Sequence, residues 1–304
     1  MKKIIFMGTP SYATIILDKL IRNRYEIVAL FTQPDKPVGR KQTLTPPDIK
    51  QYAIDNKLDF PIYQPHRLNE VENIDIIKKL NPDYIIVAAY GQILPKEILD
   101  IAPCINLHAS LLPLYRGASP IQEALLNNDT FTGVTAMLMD EGLDSGDILG
   151  YQYIKLSQNC DVIKLFDRLS IVAANLTIKI LDNFDLIQPT KQKQHLVSYC
   201  KKIKKSDGIV ELDDAQTIVS KYKAYKFWPN IALENGLKLK ELRLGDKDKY
   251  YEKGKILQIL PDSIEVACLK GSIFIKSLQA PSKKELNAVE YIKGKRLNLG
   301  DYLS

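Results

Sequence analysis

Asn106 and His108 stand two residues apart at the end of a strand-like run that begins with Cys104 and Ile105. In an extended chain, residues i and i+2 project to the same side, so a side-chain amide and an imidazole would face one spot. Residues 139–147 add four carboxylates, Asp140, Glu141, Asp144 and Asp147, on a loop where Gly142 and Gly146 let the backbone wrap closely. An amide to donate to a developing oxyanion, an imidazole to carry a proton and a carboxylate to orient it together suit acyl-group transfer. Spacing alone leaves open which of the four carboxylates would pair with His108. A lone strand-end histidine is more often a packed structural residue. Three features argue against that here: Asn106 on the same face, Pro113 ending a tight turn beyond, and the habit of open α/β sheets to bind ligands at the carboxyl ends of their strands.

The flanking pattern supports such a sheet. Short apolar runs at 3–7, 26–32 and 83–89 alternate with segments of helical spacing at 11–23, 48–56, 70–80 and 119–127. Ser11 is the expected cap of the first helix. This alternation predicts an α/β fold, a Rossmann-like, mainly parallel sheet covered on both faces. Strands at 132–139 and 148–156 would flank the acidic loop, and a helix would run over 161–181. Beyond a polar, lysine-rich stretch the period changes. A helix at 213–225 precedes short strands at 230–234, 238–244, 254–260, 263–269 and 272–278, split by turns such as Asn235-Gly236 and Lys270-Gly271. That pattern fits a small OB-like β-barrel. The expected division is a catalytic domain at 1–187, a linker at 188–206 and a second domain at 207–304.

Composition narrows the function classes. No apolar run approaches the ~20 residues of a membrane span, and Lys2–Gly8 begins a strand without a leader-like segment, so a cytoplasmic protein is expected. Four scattered cysteines, three histidines and no Cys-x-x-Cys predict no metal site. Gly8-Thr9-Pro10-Ser11 lacks the second and third glycines of a dinucleotide loop, which disfavours a nicotinamide cofactor. Residues 201–304 carry 21 Lys+Arg against 14 Asp+Glu, a net of +7, and leave residues 1–200 at −1. The basic excess suits a polyanionic partner, or a set of solvated lysines. Residues 33–47 form an unusually long β–α connection with four prolines and the cations Lys36, Arg40 and Lys41, suited to a phosphate backbone. Lys201, Lys202, Lys204 and Lys205 could touch phosphates too. Tyr222, Tyr225, Phe227 and Trp228 cluster near basic residues, and core packing is expected for Phe227 and Trp228.

The run Asn106-Leu107-His108-Ala109-Ser110-Leu111-Leu112-Pro113 resembles the signature of the folate-dependent formyltransferases. The resemblance extends over nearly the whole chain, through residues 6–10, 31–40, 89–95, 115–122, 139–148, 202–208 and Phe227-Trp228-Pro229. It implies that Asn106, His108 and Asp144 are the catalytic trio and that Ser110, Leu111, Leu112 and Pro113 belong to the folate-binding motif. It also implies that Arg40 meets the acceptor end of a tRNA. Ala109 and Lys41 stand where the family usually has glycine. The loop Gln33-Pro34-Asp35-Lys36-Pro37-Val38-Gly39-Arg40 and the second domain resemble those of the branch acting on tRNA. The expected activity is transfer of the formyl group of 10-formyltetrahydrofolate to methionyl initiator tRNA by a monomer without metal or membrane. The alternative acceptor is a nucleotide-linked amino-sugar.

Overall fold

The computed structural model of the chain describes residues 1–39 and 41–303. They pack as two units. One comprises Met1–Pro120, Phe131–Leu156 and Phe166–Cys200, the other Ile121–Thr130, Ser157–Leu165 and Lys201–Ser304.

The chain opens with β1 (Lys3–Gly8), α1 (Ser11–Arg22) and β2 (Glu26–Phe31). A hairpin of β3 (Lys36–Val38) and β4 (Thr43–Thr45) follows, then α2 (Asp48–Asp55), β5 (Ile62–Tyr63) and α3 (Val71–Leu80). Next come β6 (Tyr84–Ala88), α4 (Lys96–Leu99), β7 (Cys104–His108), β8 (Arg116–Gly117) and α5 (Pro120–Leu126). β9 (Phe131–Leu138), β10 (Ile148–Lys155), α6 (Val162–Asp182) and β11 (Tyr199–Cys200) complete this part.

Seven strands of the first unit form one sheet in the order β10-β9-β7-β6-β1-β2-β5. The five from β7 to β5 are parallel, and β9 and β10 are antiparallel additions. All five residues of β6 are buried, as are residues 4–8 of β1, because both faces of these strands lie under other elements. Burying a side chain of Ile or Phe size is worth about 1.5–3 kcal/mol, so β1 and β6 anchor the sheet and fix where β7 lies. α1 closes one face with Tyr12, Ala13, Ile16, Leu17 and Leu20 buried at helical spacing. Ser11 is not its cap. It is the first helical residue, and its N–H donates to Oδ2 of Asp48 at 2.9 Å, so a carboxylate from α2 takes the capping role. Gly8 answers to packing: a Cβ there would lie 2.5 Å from that of Ala13.

The long connection at 33–47 is ordered around the exposed β3–β4 hairpin. Its base is tied by Gln64, whose amide donates to Gln33 O and Asp35, and by the Lys50–Asp35 ion pair at 2.9 Å. The Gln64 hydrogen bond and then the Lys50 ammonium hold the Asp35 carboxyl below the usual carboxylate range. Arg40 lies outside the described residues.

Besides nearly all of α5, the second unit holds α7 (Ala215–Tyr225), β12 (Ile231–Ala232), β13 (Lys238–Leu244), β14 (Ile256–Ile259), β15 (Ile264–Ala267), β16 (Ser272–Gln279), β17 (Leu286–Asn287) and α8 (Ala288–Lys295). Its strands make an antiparallel sheet in the order β12-β13-β16-β15-β14, with β17 added on β16. Ile218, Leu239, Ile264, Val266, Ile273, Ile275, Leu278 and Ile292 form a core of its own. The α/β first unit and the small antiparallel second unit both agree with the expected fold class. α8, capped by the Asn287 side chain on the N–H of Val289, was not anticipated.

Candidate active site

β7 carries Asn106 and His108 to its carboxyl end, held in register by β9 through Asn106↔Met137 and His108↔Thr135. The alternation expected of an extended chain places both side chains against one carboxylate, that of Asp144 in the β9–β10 loop. Asn106 Nδ2 donates to Asp144 Oδ1 at 3.3 Å, and His108 Nδ1 lies 3.6 Å from Asp144 Oδ2. Of the four candidate carboxylates, only Asp144 takes this place. Asp140 instead accepts from the N–H of Gly142 and the hydroxyl of Ser145, shaping the loop from within.

The other ring nitrogen fixes the tautomer. His108 Nε2 sits 2.9 Å from the carbonyl oxygen of Tyr115. A carbonyl can only accept, so Nε2 carries the hydrogen and Nδ1 is the position where a proton comes and goes. Nδ1 is the nitrogen that faces the Asp144 carboxylate. The histidine side chain is 6% exposed and that of Asp144 14% exposed, a setting in which electrostatic contacts act with little screening.

Asp144 is held from several sides. Its Oδ2 accepts from the N–H of Gly117 at 2.8 Å, and its backbone sits at φ 49°, a left-handed conformation unusual for a residue other than glycine. Gly117, at φ 119°, could not be replaced: a Cβ there would lie 2.3 Å from Cys200 O. The Gln192 amide donates to the carbonyls of Asp144 and Gly146, at 2.9 and 2.8 Å. Arg116 in turn donates to Gln192 from Nε and Nη2, at 3.0 and 2.8 Å. Gln192 escaped the sequence reading because it lies in a polar stretch with no pattern. Gly117 appeared there only as part of the family motif.

Residues 110–113 wrap beneath the site. Ser110 is fully buried, its carbonyl accepting from the Thr135 hydroxyl, which itself accepts from the Leu112 N–H at 3.0 Å. Ser110 Oγ donates to Leu114 O. Leu111 rests against Gly133, where a Cβ would come within 2.7 Å of its Cδ2. Ser110 and Leu112 thus shape the loop from inside, and Leu111 and Pro113 are its partly open members.

In the second unit, Phe227 is 80% exposed and Trp228 49% exposed, against the expectation of core packing. α7 stops at Tyr225, and the bond from Asn230 N–H to Tyr225 O closes a loop that carries both rings outward. Lys201, Lys202, Lys204 and Lys205 are exposed, as expected of solvated cations. Among the described residues no group of three or more His, Cys, Asp or Glu is placed to hold a metal, and no helix is long and apolar enough to cross a membrane.

Comparison with known proteins gives this arrangement a family. The formyl transferase model matches residues 1–181 and the formyl transferase C-terminal domain model residues 202–296. The chain is 57% identical to the methionyl-tRNA formyltransferase of Nitratiruptor sp., over 98% of this chain and 99% of that one. It is 54% identical to the methionyl-tRNA formyltransferase of Campylobacter lari over the full length of both. Among solved structures, an N-formyltransferase from Helicobacter canadensis in complex with folinic acid and dTDP-3-aminofucose has a TM-score of 0.68 at 19% identity, covering 91% of this chain and 99% of that one. HypX from Aquifex aeolicus in complex with tetrahydrofolic acid has a TM-score of 0.64 at 15% identity; the match covers 98% of this chain and about half of HypX (48%). At such identities the two structures speak for the fold alone. The family models and the full-length relatives go further: this chain belongs to the formyl transferase family.

Proposed function

We propose that the chain transfers the formyl group of 10-formyltetrahydrofolate to the α-amino group of methionyl initiator tRNA, and that Asn106, His108 and Asp144 perform the chemistry. The observation that carries the chemical part is the convergence of an amide N–H and an imidazole Nδ1 on one carboxylate, at 3.3 and 3.6 Å. The acceptor rests on full-length relatives at 54–57% identity that bear that activity in their names. Sugar-acting neighbours share the fold at 19% identity and give an amino-sugar no comparable support.

The neutral amine attacks the formyl carbon, forming a new C–N bond and placing negative charge on the formyl oxygen. Asn106 Nδ2 and the protonated Nδ1 of His108 donate to that oxygen, a contribution of about 3–4 kcal/mol in comparable oxyanion sites. The Asp144 carboxylate, aligned by the Gly117 N–H, receives the proton the amine loses. As the original C–N bond breaks, this proton passes to N10 of the folate, so tetrahydrofolate leaves with one hydrogen gained and the amine with one lost. Leu111 and Pro113 would border the pterin side of the site. Arg40 and residues 201–304, with their basic excess, would hold the tRNA. All three reacting groups come from one chain, which suits a monomer, and a tRNA acceptor suits the cytoplasm. Incubation with formyl-folate and charged initiator tRNA should yield N-formylmethionyl-tRNA; product from an amino-sugar nucleotide alone would contradict the acceptor.

A further inference from the structure

Gln192 occupies an unusual position. It is 5% exposed, its hydrogen bonds reach none of the three reacting side chains, and four of them join Arg116 to the backbone of the acidic loop. We infer that Gln192 is a positioning residue for the formyl transfer proposed above: it clamps the 144–146 backbone so that the Asp144 carboxylate stays at His108.

The orientation of the amide is forced. Oε1 accepts from both Nε and Nη2 of Arg116, so Nε2 must face the carbonyls of Asp144 and Gly146 and give one hydrogen to each. Turned over, the amide would set donor against donor and acceptor against acceptor. Arg116 is 3% exposed, and among the described residues it forms no ion pair with a carboxylate. A buried guanidinium on an amide oxygen polarises that amide and strengthens its N–H donors.

The clamp is itself anchored. Thr190 and Ile148 exchange both backbone bonds, at 2.8 and 2.9 Å, fixing the chain two residues before Gln192 against β10. Arg116 N–H donates to Ser198 O at 2.9 Å. Asp144 is thus held at its side chain by Gly117 and at its carbonyl by Gln192, which the neighbouring Arg116 holds in turn. A left-handed aspartate is strained and persists only where its surroundings over-determine it, and these bonds are such surroundings. The Asp144 side chain alone, 3.6 Å from the imidazole, would not fix the loop.

Gln192→Glu separates positioning from packing. The carboxylate has the same shape, and its ion pair with the buried Arg116 offsets the two bonds it no longer gives the loop, so Tm should change little. Both loop bonds are lost, and an anionic oxygen faces two carbonyls. Turnover should fall about 10–100-fold, the range expected when a catalytic group shifts by up to an ångström, with KM for both substrates within about twofold. The protein has three histidines, so the ring-nitrogen NMR signals of His108 can be assigned by their loss in His108→Gln; in Gln192→Glu they should shift without substrate present. Unchanged turnover with unchanged His108 signals overturns the inference, as does a loss of turnover that follows a loss of Tm. The NMR readout needs no activity, so an absence of formyl transfer in the wild type would sink the proposed reaction and leave the clamp testable. If Gln192→Glu fails to fold, the wild-type Gln192 side-chain N–H signals decide: slow exchange with solvent supports the clamp, and rapid exchange overturns it.

Discussion

Around β7 of the first unit, His108, Asp144, Arg116 and Gln192 are enclosed and tied to one another or to backbone at 2.8–3.6 Å. In the second unit, Lys201, Lys202, Lys204, Lys205, Phe227 and Trp228 face water. The difference follows from what each region would do. Charge that develops on one oxygen is stabilised best by donors already in place, where little reorganisation is needed. A long polyanion is gathered by many weakly held cations, each releasing a counterion from the nucleic acid. Substitutions should therefore act on turnover in the first region and on affinity in the second.

His108→Gln should show the largest effect, since it removes the imidazole that donates to the developing oxyanion and pairs with Asp144. Turnover should fall about 10²–10⁴-fold with tRNA affinity unchanged; weaker tRNA binding as the main effect would blur the contrast. Replacing Lys201, Lys202, Lys204 and Lys205 by alanine should do the reverse. Affinity for charged tRNA should drop and the slope of log affinity against log salt should flatten by roughly 0.7–0.9 for each phosphate that is no longer neutralised, with turnover at saturation kept. An unaltered slope would remove these lysines from the tRNA-binding surface.

The smallest effect concerns stability within the second unit. Burial pushes the Asp161 carboxyl up, but the hydrogen bond from Lys226 at 2.8 Å and the N–H of Lys164 prevail and hold it below the usual carboxylate range. A depressed carboxyl contributes stability above its unfolded pKa and loses it as pH falls through the folded value, so the contribution of this pair fades progressively as pH drops below about 4. Lys226→Met should cost about 1 kcal/mol at neutral pH, a modest figure because the lysine is partly exposed. Its acid-unfolding midpoint should move to higher pH; an unmoved midpoint would show that the ion pair contributes nothing.

What the sequence conveyed depended on range along the chain. Continuous apolarity announced β6, and alternation put Asn106 and His108 on one side of β7. Both are short-range signals. Which of four acidic residues meets His108 is decided by Gly117 and Gln192, which are distant in sequence, and only the family motif singled out Asp144 beforehand. Gln192 itself sits among polar residues with no period. Phe227 and Trp228 misled because hydrophobicity suggests burial, whereas the end of α7 at Tyr225 turns them outward. Ser11 failed as a cap because the helix takes it in as its first residue, and Asp48, thirty-seven residues on, accepts from its N–H.

Single-turnover formyl transfer by Asp144→Asn, with charged initiator tRNA saturating and its dissociation constant measured alongside, tests most directly whether the three side chains act together. The account predicts a loss of at least about 100-fold in the transfer step with tRNA affinity unchanged. Transfer within about threefold of the wild-type rate would contradict it.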